Sequence, residues 1–188
     1  MNRFVFVIAG LCALAVGCSS SSPITPSDET RTTTTFTVPL SAANEVPPIA
    51  NADAGASGTA TIALNVTASA SGNITSATAD FQITVSGFPA GTRITDAHVH
   101  NAPAGGNGGI VINTTLTSGE LAITDGSGSI TKKGINVPAD RAAAILNNPA
   151  GHYFNVHTAI NPDGAIRGQL SAGTTGTTSP TVSGGSGY

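Results

Sequence analysis

The chain has no tryptophan, two cysteines, one methionine and two tyrosines in 188 residues, and only 9% of it is charged. Each shortage excludes something. Seven Lys+Arg against ten Asp+Glu leave a formal charge of −3. No basic face exists to neutralise phosphates, so nucleic-acid binding is excluded as a class. Helical bundles carry Lys/Glu-rich outer faces, which so small a charged fraction cannot supply. Cys12 lies inside an N-terminal apolar run, Cys18 lies just after it, and no thiol follows. The rest of the chain therefore has no internal disulfide, catalytic thiolate, zinc–thiolate site or iron–sulfur cluster. Its acidic residues are scattered rather than paired for glycosidase-type work. No Gly-x-Ser-x-Gly elbow marks an activated serine.

What remains is rich in Thr, Ser, Ala, Val, Ile and Gly, a composition that suits a secreted all-β domain. The hydrophobic period is 2. Phe36, Val38 and Leu40 alternate with small or polar residues, as do Ile62, Leu64 and Val66, and then Phe81, Ile83 and Val85. Further strands are expected at Ile94–Asn101, Gly109–Leu116, Glu120–Thr124, Ser127–Asn136, Tyr153–Thr158 and Ala165–Ser171. Turn residues separate them, notably Ser71-Gly72-Asn73, Asp125-Gly126 and Asn161-Pro162-Asp163-Gly164. One short helix is expected over Pro138–Leu146, stopped by Asn147-Asn148-Pro149. Many short strands with one helix read as a two-sheet Greek-key β-sandwich, with a barrel as the alternative.

The ends read differently. Phe4–Val16 is apolar after Arg3 but shorter than the roughly 20 residues that span a bilayer, which makes residues 1–17 a signal peptide. Leu14-Ala15-Val16-Gly17-Cys18 resembles a bacterial lipobox, with Ala15 where Leu is commonest. The expectation is lipidation at Cys18 and anchoring in the cell envelope, in the outer membrane by the Ser19 that follows. An ordinary secretory signal with an incidental cysteine is the alternative. Residues 18–35 read as a Ser/Thr/Pro tether, 36–171 as the domain, and 172–188 as a disordered Gly/Ser/Thr tail.

The most specific local pattern is Asp96-Ala97-His98-Val99-His100. Alternate residues of a strand share a face, so His98 and His100 point one way with Ile94 and Asp96, while Ala97 and Val99 point to the core. Two such imidazoles can share a metal ion if a third ligand arrives from elsewhere. His157, on the same face as Tyr153 and Asn155 in the strand Tyr153–Thr158, is the candidate; His152 is one parity off. The competing reading makes all three packing or surface histidines bonded to loop backbone. Gly105-Gly106-Asn107-Gly108-Gly109 lacks the Lys-Ser/Thr of a phosphate loop and reads as a turn.

Several segments together resemble the CHRD domain, the module repeated in chordin and found singly in bacterial secreted proteins. They are Leu40–Pro48, Gly55–Ala60, Ala97–Gly105 with Asn107-Gly108, Tyr153–Thr158 and Asn161–Leu170, in family order across the whole domain. Asn101 and Ala165 depart from the usual residues. The resemblance implies an immunoglobulin-like fold related to the copper–zinc superoxide dismutases, and no established enzymatic role. The dismutase copper site is similar to His98-x-His100 with His157 and a nearby Arg167; a zinc subsite and the dismutase disulfide are absent. Two functions follow: a non-catalytic binding or structural module, or a mononuclear protein holding copper, or adventitious zinc, on His98, His100 and His157.

One ion pair is also expected. The turn at residues 161–164 makes a hairpin that places Arg167 on the His157 face. A shielded guanidinium favours a carboxylate, and Glu45, held by Pro47 and Pro48, is the expected partner. Asp96, or no partner at all, is the alternative.

Overall fold

The computed structural model describes residues 29–178. Nine strands and one helix follow in order: β1 Thr30–Ser41, β2 Ser57–Ala68, β3 Ile74–Ser86, β4 Ile94–Asn101, β5 Ile110–Asn113, β6 Gly128–Asn136, α1 Ala139–Asn147, β7 His152–Thr158, β8 Ile166–Gln169 and β9 Thr174–Thr178. All pairings are antiparallel, in one curled sheet of order β5-β4-β7-β8-β1-β2-β3-β6, with β9 also on β1. The fold is all-β with one short helix.

The sheet works as two layers joined by a thin seam. β1 and β8 share a single residue pair, Ser41 with Arg167, whereas β1 and β2 pair along their full length. At the seam a Cβ on Gly168 would run into the Pro39 carbonyl, so only glycine lets the two backbones approach this closely. Across the fold the rings of Phe81 on β3 and Phe154 on β7 stack at 5.9 Å. Those rings lie in one core with Phe36, Leu64, Ile83, Ile94, Val99, Val156 and Ile166. Helix α1 adds Ala142 and Ile145 to that core.

Local sequence explains most of these elements. On β2 and β3 the buried residues alternate without a break from Ala60 to Val66 and from Ala77 to Val85, as a half-buried strand requires. Asn148 and Pro149 end α1 as expected.

Four expectations need correction. Glu120–Thr124 is not a strand: Leu121 and Ile123 do dip into the core, but the Asp125-Gly126 turn closes at once on the single Thr124–Ser127 bridge. β6 then pairs with β3 instead. The strand expected over Gly109–Leu116 is confined to Ile110–Asn113, because Thr114 turns inward to bond the Ala97 carbonyl and Thr115 adopts a φ of 58°. Ile94 faces the core rather than the histidine face, since the β4–β7 register shifts between Ile94 and Asp96 and reverses the parity.

The fourth concerns the ends. The tether assigned to residues 18–35 and the disordered tail assigned to 172–188 overlap real strands. Residues 30–35 belong to β1, and Thr174–Thr178 form β9 against Arg31–Thr35. β9 is exposed throughout. Backbone pairing with β-branched Thr, not apolar burial, holds it, and apolar content alone could not reveal that. The expected signal peptide at 1–17, Cys18 and the residues beyond Thr178 lie outside the described residues.

Candidate metal centre

β4 and β7 are neighbours, with His98 opposite Asn155, His100 opposite Tyr153 and Asp96 opposite His157. β8 adds Arg167 opposite Asn155. One face of this three-strand patch is core: Ala97, Val99, Phe154, Val156 and Ile166 are fully buried. The other face carries the polar set, and it is buried too. Three loops cover it: the Glu45 segment after β1, the glycine-rich loop between β4 and β5, and the β7–β8 hairpin.

The three histidines expected to share an ion do come together. Ring nitrogens of His98, His100 and His157 all lie within 4.8 Å of one another. His98 Nδ1 is 3.0 Å from His157 Nε2. His152 lies apart, its Nδ1 donating to the Asn148 carbonyl at 2.9 Å.

Carbonyl partners assign the protons, because a carbonyl only accepts. His100 Nδ1 donates to Gly108 O at 2.9 Å, and His157 Nδ1 donates to Pro162 O at 2.8 Å. Both rings, when neutral, therefore turn an unprotonated Nε2 inward, and His100 Nε2 is buried without a well-formed hydrogen bond, the Asn155 side chain lying close to the ring. His98 is the adjustable member. Its Nε2 lies 3.1 Å from Asp96 Oδ2 and 3.2 Å from Asn113 Nδ2. With the proton on Nδ1, His98 donates to His157; with the proton on Nε2, Asp96 receives it and a third lone pair opens inward. Such outer partners orient metal-binding imidazoles.

Burial lowers the His98 pKa to about 4, against the pull of Asp96, and the neighbouring His157 and His100 push it the same way as burial. Burial also lowers His100, opposed by its bond to Gly108. These two rings are neutral at pH 7, the form that binds metals. An orphaned imidazole nitrogen beside two further imidazoles fits a cation with nitrogen affinity. A cleft of about 440 Å³, lined in part by Asp96, His98, His157 and Pro162, reaches the cluster from outside.

The expected Glu45–Arg167 pair does not form: no ion pair within 4.0 Å joins them, nor Arg167 to Asp96. Arg167 is buried but not solvated. Its Nη1 donates to Asn107 Oδ1 and its Nη2 to Gly106 O, both at 2.9 Å. Its Cζ sits 3.6 Å over the Tyr153 ring, which stacks in turn on His100 with centroids 4.9 Å apart and planes 6° apart. The glycine-rich loop stands where the carboxylate was expected: its two acceptors fill hydrogen bonds of the guanidinium fork, and the Tyr153 face meets the charge. Glu45 is left with a buried, unpartnered Oε1. Burial raises its pKa to about 7, and the nearby Arg167 charge only partly offsets this.

Sequence reasoning thus found the three histidines that cluster and missed their supports. Asn107, Gly106 and Gly108 were read as a plain turn, and Tyr153 and Asn155 had a face but no role. The only sequence signal for them was their place in the resembling segments.

Fold and site together define a small all-β module with one buried tri-histidine cluster among the described residues. The chain belongs to the CHRD domain family, whose model matches residues 36–170. Comparison with curated proteins and with solved structures gives no match.

Proposed function

We propose that this protein is an envelope-anchored CHRD module that binds one transition-metal ion, copper by preference, on His98, His100 and His157. The observation that carries the reading is the buried, unpartnered His100 Nε2 facing two other imidazoles whose outer nitrogens are already engaged. An all-imidazole donor set suits copper and zinc, and copper(II) binds the more tightly of the two. Binding rather than turnover is the role. Among the described residues the cation near the cluster is Arg167, which is buried and spent on Gly106, Asn107 and Tyr153, so it cannot meet a substrate.

Titration of ion-free protein with copper(II), followed by visible absorption and paramagnetic resonance, tests this reading. One equivalent should bind with nitrogen hyperfine structure, and His100→Ala should abolish it. Equal uptake by wild type and His100→Ala overturns it. Anchoring through a lipid on Cys18 is part of the same proposal, supported by the lipobox-like Leu14–Cys18 segment. Metabolic labelling with palmitate should mark wild type and spare Cys18→Ser; equal labelling of both removes the anchor.

A further inference from the structure

Two buried polar groups beside the histidines have no partner suited to them. Asn155 is 1% exposed, and its Oδ1 lies 3.0 Å from His157 Nε2. In the neutral ring, with the His157 proton on Nδ1 toward Pro162 O, this contact sets an acceptor against an acceptor. The other orphan is Glu45 Oε1. Buried amides are normally bonded at both ends, so an oxygen aimed at a lone pair requires an explanation.

Turning the amide over would relieve the His157 contact, but it would bring the Asn155 oxygen to the Gly164 side, which the Glu45 carboxyl also borders. Gly164 shows how close that side is. A Cβ on Gly164 would lie 2.7 Å from both Asn155 Nδ2 and Glu45 Oε1, and the residue has a φ of 135°. Only glycine leaves room for both groups at this position. The NH₂ end therefore lies on the Gly164 side, which Glu45 also borders, and the oxygen is left among the imidazoles.

We propose that the Asn155 amide oxygen is a fourth donor of the tri-histidine centre, and that Glu45 and Gly164 hold the amide in the donating orientation. The inference rests on the metal-binding reading above. It also specifies the ion. A carbonyl oxygen is a hard donor that suits four-coordinate zinc(II) and copper(II); copper(I) prefers softer ligands and fewer of them. The centre is thereby selective for the divalent state. Glu45 is a positioning residue, acting through Asn155.

The test uses the full chain at pH 8 with zinc(II), copper(II), and copper(I) in the presence of a copper(I) chelator as competitor. Asn155→Ala should weaken zinc(II) and copper(II) binding by about 10–100-fold and leave copper(I) binding nearly unchanged. Asn155→Asp keeps an oxygen in place and should bind copper(II) at least as well as wild type. This variant also serves if the alanine variant folds poorly by circular dichroism. In ¹⁷O-enriched water the copper(II) resonance of Asn155→Ala should show a water coupling that wild type lacks. Glu45→Leu should weaken divalent binding by less than Asn155→Ala does.

An Asn155→Ala protein with unchanged copper(II) affinity and spectrum, alongside a His100→Ala protein that binds nothing, overturns the fourth donor and keeps the histidine centre. Loss of copper(II) binding in Asn155→Asp has the same meaning. A wild-type protein that retains no ion overturns both.

Discussion

β3 and β7 face each other across the core through Phe81 and Phe154, yet they are built on opposite principles. β3 alternates buried and accessible residues through most of its thirteen positions, with Thr, Asp80 and Gln82 turned outward. All seven residues of β7 are buried, including His152, Asn155, His157 and Thr158. A strand with one wet face needs only apolar side chains on the other. A strand buried on both faces must satisfy every polar group it carries. On β7, His157 does so with the Pro162 carbonyl of the adjoining hairpin and Tyr153 by accepting the Gly108 N–H from a distant loop, and what the face leaves unsatisfied marks the candidate centre.

The largest effect should come from the feature the two strands share. Phe154→Ala should lower stability by about 3–5 kcal/mol, and Phe81→Ala by a similar amount. Urea denaturation measures this; a loss below about 1 kcal/mol would mean that the layers do not pack as described.

The next effect belongs to the polar face of β7 alone. Zinc(II) at a free concentration 100 times its dissociation constant should stabilise wild type by about 2.7 kcal/mol. In His157→Ala the same concentration should do far less, and chelation should return wild type to its ion-free melting temperature. Equal stabilisation of both proteins would place the ion elsewhere.

A smaller effect distinguishes the same face by pH. The Glu45 carboxyl has an ordinary value of 4.5 and a folded value of about 7. Its contribution to stability is complete below pH 4.5 and is lost as pH rises through 7. Glu45→Gln has no such loss. The stability of wild type relative to Glu45→Gln should therefore fall by about 1–2 kcal/mol between pH 4.5 and 8, less than a full shift implies because the residue borders a cleft. His98 has the opposite sign. Its value is depressed to about 4, so its contribution is present above 6.5 and declines as pH falls toward 4. A wild-type to Glu45→Gln difference that is flat with pH would mean the carboxyl is solvated.

The smallest effect lies on the wet side. Lys132 on β6 bonds Glu120 at 2.8 Å on an exposed surface, and this contact holds the Glu120 pKa below its usual value. Lys132→Met should move the melting temperature by less than about 1 °C, as exposed pairs usually do. A larger shift would mean that the two faces differ less than their burial indicates.

The first half of the domain was legible because β2 and β3 obey one rule. Phe81, Ile83 and Val85 could be assigned to the core from spacing alone, and His98 and His100 to one face by the same parity. Ile94 escaped that rule because a register shift is a property of two paired strands, and neither strand's sequence carries it. β9 escaped because five exposed residues owe their order to the edge of β1. The partners of Arg167 escaped for a related reason. A carboxylate is visible in a sequence, but a backbone carbonyl such as that of Gly106 belongs to every residue and becomes a partner only when the loop is placed.

By itself, then, the sequence determined the all-β class, the core face of each alternating strand, the CHRD resemblance and the three histidines. All of these depend on side-chain identity and on the two-residue repeat of an extended chain. Tertiary structure alone decided that the histidine face is buried, that His100 and His157 turn Nδ1 to backbone carbonyls, that Arg167 stacks on Tyr153, and that Asn155 and Glu45 both border Gly164. Those outcomes depend on loops closing over β4, β7 and β8 from positions far along the chain. Burial and hydrogen-bond geometry come into being only when the loops have closed.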